Sequence, residues 1–199
     1  MKIGVLAMQG AFVEHVAVLH RLKVETYPVR RATELHGISG LVIPGGESTT
    51  IGKLMKEYSL VEEIEKLIAR GLPVLGTCAG MILLAKEILG HEQDSLRAMN
   101  IKVRRNAFGR QVDSFEADLS IPVLGHKPFR GVFIRAPWIE GVGEGVEILA
   151  TLPDGRPVAA REGNIVATAF HPELTNDFRL HNYFLSIVEE YSKEKVAEM

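Results

Sequence analysis

The sequence predicts an α/β fold of three layers, in which a mostly parallel central sheet carries helices on both faces and gains antiparallel strands in the C-terminal half. Three observations lead there. Through residue 90, short apolar runs alternate with stretches of helical periodicity, the pattern of strand–helix–strand units whose strands lie parallel and buried. The first and third of those runs are bounded by glycine or proline, at Gly10 and at Pro44-Gly45-Gly46, as a strand end favours. Beyond residue 90 the helical stretches give way to several short strand-like runs, until one last helix.

The elements follow in order. Residues 3–7 are apolar and bounded by Gly10, a buried strand. Residues 12–22 place Phe12, Val16, Leu19 and Leu22 on one helical face. Residues 24–29 form a second strand, and residues 41–43 a third, stopped by Pro44-Gly45-Gly46. Ser48 or Thr49 can cap the helix that follows. It continues through residues 60–69 with Val61, Ile64, Leu67 and Ile68 on one side, and ends at Gly71. Residues 73–76 make a fourth strand, and residues 79–89 an apolar helix closed by Gly90. In the second half, residues 101–104, 131–135, 146–152, 157–161 and 165–170 are strand-like, and Pro153-Asp154-Gly155 is a tight turn. Gly141-Val142-Gly143-Glu144-Gly145 follows no clear strand and is expected to be a surface loop. Residues 177–191 close the chain as a helix with Phe178, Tyr183 or Phe184, and Val188 on its apolar side.

Bulk properties narrow the function. The 199 residues are 46% hydrophobic and 24% charged, ordinary for a globular protein with a substantial core. Without a repeat or a low-complexity linker, residues 1–199 are expected to form one domain. A net charge of −2 offers no long-range attraction to nucleic acid or to an anionic membrane. The opening MKIGVLAMQG has too short an apolar stretch for a signal peptide, and no apolar run approaches the roughly eighteen residues needed to span a bilayer, so a cytoplasmic location is expected. The single cysteine excludes an intramolecular disulfide and makes Cys78 a candidate nucleophile, although a lone cysteine is more commonly an inert buried residue.

Its neighbours favour chemistry. In Leu75-Gly76-Thr77-Cys78-Ala79-Gly80 a strand runs straight into a helix at the cysteine, with glycines two residues to either side. That is a nucleophile elbow with sulfur in place of oxygen. The helix start favours a thiolate, and the Ala79 N–H can face a developing oxyanion. The competing reading is a buried cysteine in a glycine-rich turn. A second segment, Phe170-His171-Pro172-Glu173, follows the last strand. A thiol nucleophile needs a proton carrier, and that carrier needs an acceptor on its other ring nitrogen; His171 and Glu173 fit these roles. Taken alone the pair is a loop histidine beside a solvated glutamate. In the third segment, Ile43-Pro44-Gly45-Gly46-Glu47-Ser48, two glycines let backbone N–H groups come close to a substrate; it has no phosphate-loop pattern. The remaining histidines, His15, His20, His36, His91, His126 and His181, form no metal-binding spacing and are taken as surface or packing residues. No metal and no cofactor is expected.

Together these segments identify a resemblance. IGVLAMQGAFVEH, LVIPGGESTTI, GTCAGMILLAKEI, RRNAFGRQVDSFEADL, GVFIRAP and FHPEL are similar to stretches of the class I, or triad, glutamine amidotransferases, which have a flavodoxin-like sheet. Among these, the resemblance is to the glutaminase subunits that serve pyridoxal 5′-phosphate synthases. It spans nearly the whole chain. The GxCxG and HPE elements are shared widely, whereas the Gln9-Gly10 opening, PGGEST, NAFGRQVDSFE and FIRAP are narrower. The resemblance implies a Cys78–His171–Glu173 triad that hydrolyses L-glutamine through a cysteinyl thioester, with Gly46 and Ala79 as oxyanion donors. Glutamine-binding positions fall on Gly46, Glu47, Ser48, Arg105, Ile134 and Arg135. It further implies a partner: a (β/α)8-barrel synthase with a dodecameric core, one glutaminase docked per synthase subunit, receiving the ammonia. The sugar-phosphate chemistry belongs to that partner, so this chain is expected to hold no pyridoxal phosphate as cofactor. Gln9 and Gly10, at the end of the first strand, are expected to sense the partner, and the Gly45-Gly46 loop to switch between two peptide orientations.

Three rival readings remain at this stage: a stand-alone hydrolase of γ-glutamyl or peptide bonds, the glutaminase of another pathway such as histidine biosynthesis, and a non-catalytic binding module on the same sheet.

Overall fold

The computed structural model describes residues 1–105 and 114–197; residues 106–113, and with them most of the NAFGRQVDSFE stretch, lie outside the described residues. The strands are β1 (Lys2–Leu6), β2 (Glu25–Val29), β3 (Gly40–Ile43), β4 (Val74–Thr77), β5 (Ala85–Leu89), β6 (Met99–Arg104), β7 (Ser114–Leu119), β8 (Phe129–Ile134), β9 (Trp138–Val142), β10 (Val146–Thr151), β11 (Pro157–Glu162) and β12 (Ile165–Thr168). The helices are α1 (Phe12–Arg21), α2 (Ser48–Glu57), α3 (Leu60–Ala69), α4 (Ala79–Leu84) and α5 (Arg179–Ala197).

The main sheet has seven strands in the order β10-β11-β12-β4-β3-β1-β2. From β2 to β12 the pairings are parallel, and β11 and β10 extend the sheet antiparallel. A three-stranded sheet, β5-β6-β9, and the hairpin β7-β8 are appended. Every residue of β3, β4 and β12 is buried, as parallel strands covered on both faces must be. Alternation along β3 shows the two layers. A Cβ built on Gly40 would meet Val188 and Phe184 of α5, whereas the side chain of Ile43, three residues on and facing the other way, packs on Gly80 of α4. Among the described residues, no helix is long and apolar enough to cross a membrane.

The early elements lie within a residue or two of the sequence expectation, and the departures are informative. The α2 cap is Glu47 rather than Ser48 or Thr49: its carboxylate accepts from the N–H groups of Thr49 at 3.2 Å and Thr50 at 2.7 Å. The expected continuous helix is two, broken at Ser59, which sits at φ 55°. The helix expected over residues 79–89 stops at Leu84. Residues 85–89 have good helix formers, but they pair with β6, where Glu87 faces Lys102 in register and bonds it at 2.8 Å; tertiary pairing overrides local propensity. Two strands escape periodicity, β7 and β9. The first is amphipathic and laid on β8 through stacked Phe115 and Phe133 rings, centroids 4.5 Å apart. The second includes Gly141 and Val142, so only the remainder of the expected glycine loop is a turn. The closing helix begins at Arg179 and runs on to Ala197.

The glycines around Cys78 are dictated by packing. A Cβ on Gly80 would lie 2.0 Å from the Ile43 carbonyl oxygen, and one on Gly76 would lie 2.4 Å from Leu84. Helix α4 therefore rests backbone to backbone against β3, with no room for a methyl group. Gly80→Ala is expected to destabilise the protein by about 2 kcal/mol or more, as overpacking does. Gly141→Ala, whose Cβ meets only the Lys102 side chain at 3.8 Å or beyond, stays within about 0.5 kcal/mol. Urea denaturation of the two variants checks this; equal midpoints would refute the close-packing account.

Candidate active site

Four loops meet at the carboxyl edge of the parallel strands, where open α/β sheets place their ligands. They follow β1 (Gln9, Gly10), β3 (Pro44 to Glu47), β4 (Cys78) and β12 (His171 to Glu173). The cysteine sits at the turn from β4 into α4 with φ 50° and ψ −102°, outside the regions favoured by L-residues. Its N–H donates to the Thr168 carbonyl at 2.8 Å, so β12 holds the elbow in place. The side chain is buried, and Sγ lies 3.8 Å from the Ile134 carbonyl oxygen.

His171 follows β12 and is anchored by its N–H, which donates to Val132 of β8 at 2.8 Å. Its Nδ1 lies 2.6 Å from Glu173 Oε1. Pro172 opens a single 3-10 turn, Pro172–Leu174, and that turn folds the glutamate back onto the ring. His171 and Glu173 are 7% and 6% exposed. Burial disfavours the charged imidazole, but the Cys78 sulfur and the Glu173 carboxylate outweigh it and raise the His171 pKa to about 10. Burial likewise opposes the Glu173 carboxylate; His15, then His171, overcome this and hold it well below the usual range.

The loop after β3 closes the site from the other side. A Cβ on Gly45 would lie 2.3 Å from His171 Cε1, so only glycine fits beside the ring. The Gly45 carbonyl accepts from Ala11 N–H at 3.0 Å, and Gln9 Oε1 accepts from Glu47 N–H at 2.8 Å. These two bonds stitch the exposed Gln9-Gly10 turn to the glycine loop. Because C=O and N–H point oppositely across a peptide unit, the Gly46 N–H is aimed away from Ala11.

A cleft of about 300 Å³ opens here, lined by Gln9, Gly46, Glu47, Ser48, Cys78, Ile82, Arg105, Ile134, Arg135 and His171. It is large enough for an amino acid and at the small end of ligand sites. All six positions expected to bind glutamine border it, but the two arginines differ. Arg105 is committed: it donates to Glu47 Oε1 at 3.1 Å, Gln93 Oε1 at 2.8 Å and Thr49 Oγ1 at 3.0 Å. Arg135, at φ 42° just beyond β8, is exposed and has no hydrogen-bond or ion-pair partner among the described residues. Burial works against the Glu47 carboxylate, but its bonds to Thr50 and Thr49 prevail and bring its pKa to about 2, so it is ionised.

Some neighbours escaped the sequence reading. Gln93 gathers Ser48, Thr49 and Arg105 on one amide oxygen; nothing local marked it. His15 and His181, expected at the surface or in packing, are fully buried behind Glu173. A signal for both existed. His15 lies three and four residues before Val18 and Leu19 on α1, and His181 three and four before Phe184 and Leu185 on α5, so each occupies the apolar stripe of its helix.

The His171 pKa carries a stability consequence. A group whose folded pKa is raised above its ordinary 6.5 stabilises the fold fully below that value and loses the contribution as pH rises toward about 10. Glu173, shifted down, contributes above the ordinary carboxylate range and loses its contribution in acid. Unfolding free energy is therefore expected to fall between pH 7 and 10, and His171→Asn to flatten that limb. Denaturant titrations across this range test it, and parallel slopes in the two proteins would refute the ion-pair assignment.

The geometry has close relatives. The model of the SNO glutamine amidotransferase family matches residues 5–190. The chain is 60% identical over 188 residues to a pyridoxal 5′-phosphate synthase subunit PdxT from Moorella thermoacetica, covering 94% of this chain and 100% of the relative. It is 62% identical over 185 residues to the protein of the same name from Pelotomaculum thermopropionicum, covering 93% and 94%. A solved glutamine amidotransferase superposes with a TM-score of 0.89 at 53% identity, over 94% of this chain and 98% of that one. A solved protein from Thermoplasma acidophilum shares the fold, with a TM-score of 0.71 at 20% identity, over 98% of this chain and 97% of that one. With so nearly complete a match, the chain belongs to the SNO glutamine amidotransferase family.

Proposed function

We propose that residues 1–199 form one glutaminase domain that hydrolyses L-glutamine to L-glutamate and ammonia and delivers the ammonia to a synthase subunit making pyridoxal 5′-phosphate. The observation that carries this reading is the line of groups at the cleft: Cys78 at its elbow, His171 beside it, and a buried carboxylate 2.6 Å from His171 Nδ1. The names of the relatives support the partner, and the family supports the substrate.

In this reading the Cys78 thiolate adds to the carboxamide carbon, and the negative oxygen is received by the N–H groups of Gly46 and Ala79. His171, held protonated, gives its proton to the departing nitrogen as the C–N bond breaks, leaving a glutamyl thioester and ammonia. Neutral His171 then takes a proton from water as the oxygen attacks the thioester, and collapse returns glutamate and the thiolate. Glu173 fixes the imidazole tautomer throughout. The guanidinium of Arg135 receives the substrate carboxylate, and Glu47 its ammonium. Arg105 acts on Glu47, keeping it in place, rather than on the substrate.

Arg135→Ala is then expected to weaken glutamine binding by about 1.5–3 kcal/mol, the worth of a hydrogen bond to a charged group, with little change in stability. Calorimetry on Cys78→Ala complexes measures it, and unchanged affinity would overturn the assignment of Arg135.

The partner reading rests on chemistry as well as on names. Ammonia released to bulk water protonates and loses its nucleophilic lone pair, so a coupled glutaminase gains by staying idle until docked. The exposed Gln9-Gly10 turn is bonded to the loop that carries Gly46, which gives a docking protein a direct handle on the oxyanion site. The resemblance supplies the form of the partner: a (β/α)8 barrel in a dodecameric core with one glutaminase per subunit. Addition of the synthase subunit is expected to raise kcat at least about tenfold and to leave the isolated fold unchanged. Equal kcat with and without saturating synthase would refute partner control. Ammonia release that survives Cys78→Ala would refute the triad itself.

A further inference from the structure

Behind the triad lies a buried polar cluster that the reaction as written does not use. His15 of α1 and His181 of α5 are 0% exposed. His15 Nδ1 lies 3.1 Å from His181 Nε2. His15 Nε2 lies 3.1 Å from Thr77 Oγ1 and 3.2 Å from Glu173 Oε2. His181 Nδ1 is buried and has no partner among the described residues.

That lone nitrogen decides where the protons are. Burial holds the His181 pKa down to about 3, so its ring is neutral and carries one hydrogen. A hydrogen on Nδ1 would be a buried donor with no acceptor. On Nε2 it leaves only a lone pair unmet, which proteins tolerate far more readily. His181 therefore donates from Nε2 to His15 Nδ1. His15 Nδ1 then bears no hydrogen, and the His15 proton resides on Nε2, between the Thr77 hydroxyl and Glu173 Oε2. This N–H is aligned on Thr77 Oγ1 and lies 3.2 Å from Oε2 without hydrogen-bond geometry, so Oε2 has no hydrogen-bond partner among the described residues and His15 Nε2 is the donor placed to reach it. The His15 N–H nonetheless works, with His171, against the burial that would protonate Glu173.

We propose that His15 is a positioning residue of the site: its Nε2–H, oriented by His181, holds Glu173 Oε2 so that Oε1 stays on His171 Nδ1. The proposal rests on the triad reading above. It extends that reading from the cleft to the helix layer behind the sheet, giving the chain Cys78–His171–Glu173–His15–His181. Without His15 the second carboxylate oxygen would face a dry pocket with nothing to satisfy it. The carboxylate would then rotate or take up a proton, and either loosens the His171 ring. The titratable groups around Glu173 are His171 from its own turn, His15 from α1 and, behind it, His181 from α5; β4 adds only the Thr77 hydroxyl.

The test compares two polar replacements in the complex with saturating synthase subunit. His15→Asn places its amide at the ring's Nδ1 position, within reach of His181 and short of Glu173. His15→Gln places its amide near Nε2. For His15→Asn, kcat is expected to fall about ten- to hundredfold, with KM for glutamine changed less than about twofold, and the acid limb of kcat/KM to move to higher pH. For His15→Gln, kcat is expected to stay within about threefold of the parent. Equal losses in both variants, a loss confined to KM, or an unmoved acid limb would each overturn the proposal. A second measurement needs no substitution: nitrogen NMR of histidine-labelled protein is expected to show His15 and His181 both protonated on Nε2, and a hydrogen on His181 Nδ1 overturns the proposal even if His15→Asn does not fold. Cys78→Ala separates the positioning role from the triad. If it abolishes turnover while the His15 variants do not, the positioning role fails and the triad stands. If turnover never depended on Cys78, both fall.

Discussion

The contact between α4 and the carboxyl ends of β3 and β4 governs the rest of the site. Because the Gly80 backbone lies against the Ile43 carbonyl, the helix can begin only where β4 has just ended, and the residue between them is forced to a positive φ. That residue is Cys78. The same closeness brings the loop after β3 to the sulfur, so Gly45 touches both His171 and the Cys78 Cβ. Strand β12, parallel to β4 and adjacent to it, then brings in the histidine and the glutamate. None of these groups is placed by its own local preference. Each sits where a parallel strand ends, and the sheet brings the strand ends together.

How much of this could be read from residues alone depended on whether the information was local. The central strands were legible because β3, β4 and β12 are buried on both faces and so are continuously apolar. The elbow was legible because a cysteine between two spaced glycines is a backbone requirement written into composition. The β5 strand was not: Ala85 to Leu89 suits a helix, and its pairing with β6 depends on Lys102 and its neighbours, a long-range fact. The α2 cap was misplaced for a milder reason, since serine and threonine are commoner caps than glutamate, and Glu47 is drawn into the role by Thr49 and Thr50. The two buried histidines were present in the helical pattern, on apolar stripes, but a single helix cannot say what its stripe meets. Only the packing of α1 against α5 turns two unremarkable positions into a pair.

Charge is also distributed unevenly across the cleft. On one wall, Arg105, Glu47, Thr49 and Gln93 are bonded to one another, with Gln93 Nε2 left buried and without a partner among the described residues. On the other, the Arg135 guanidinium has no partner among the described residues. The bonded wall is therefore stiff and the open one receptive. Within Glu47 the two oxygens divide the work. Oε2 serves the start of α2 through Thr50, while Oε1 accepts from both the Thr49 N–H and Arg105. A ligand cation drawn to Oε1 leaves the Thr50 half of the helix cap intact.

The solitary thiol has one more consequence, which concerns oxidation. A sulfenic acid on Cys78 would find no second cysteine in the chain with which to condense. Many redox-sensitive proteins recover through such an internal disulfide; this one has no such route. Cys78, 6% exposed, is shielded by Gly45, His171 and Ile134, so a peroxide and the small thiol that would reverse its action must both come through the adjoining cleft. Occupancy of that cleft and survival of the thiol under oxidising conditions are thus one problem: whatever fills the cleft also keeps oxidants out.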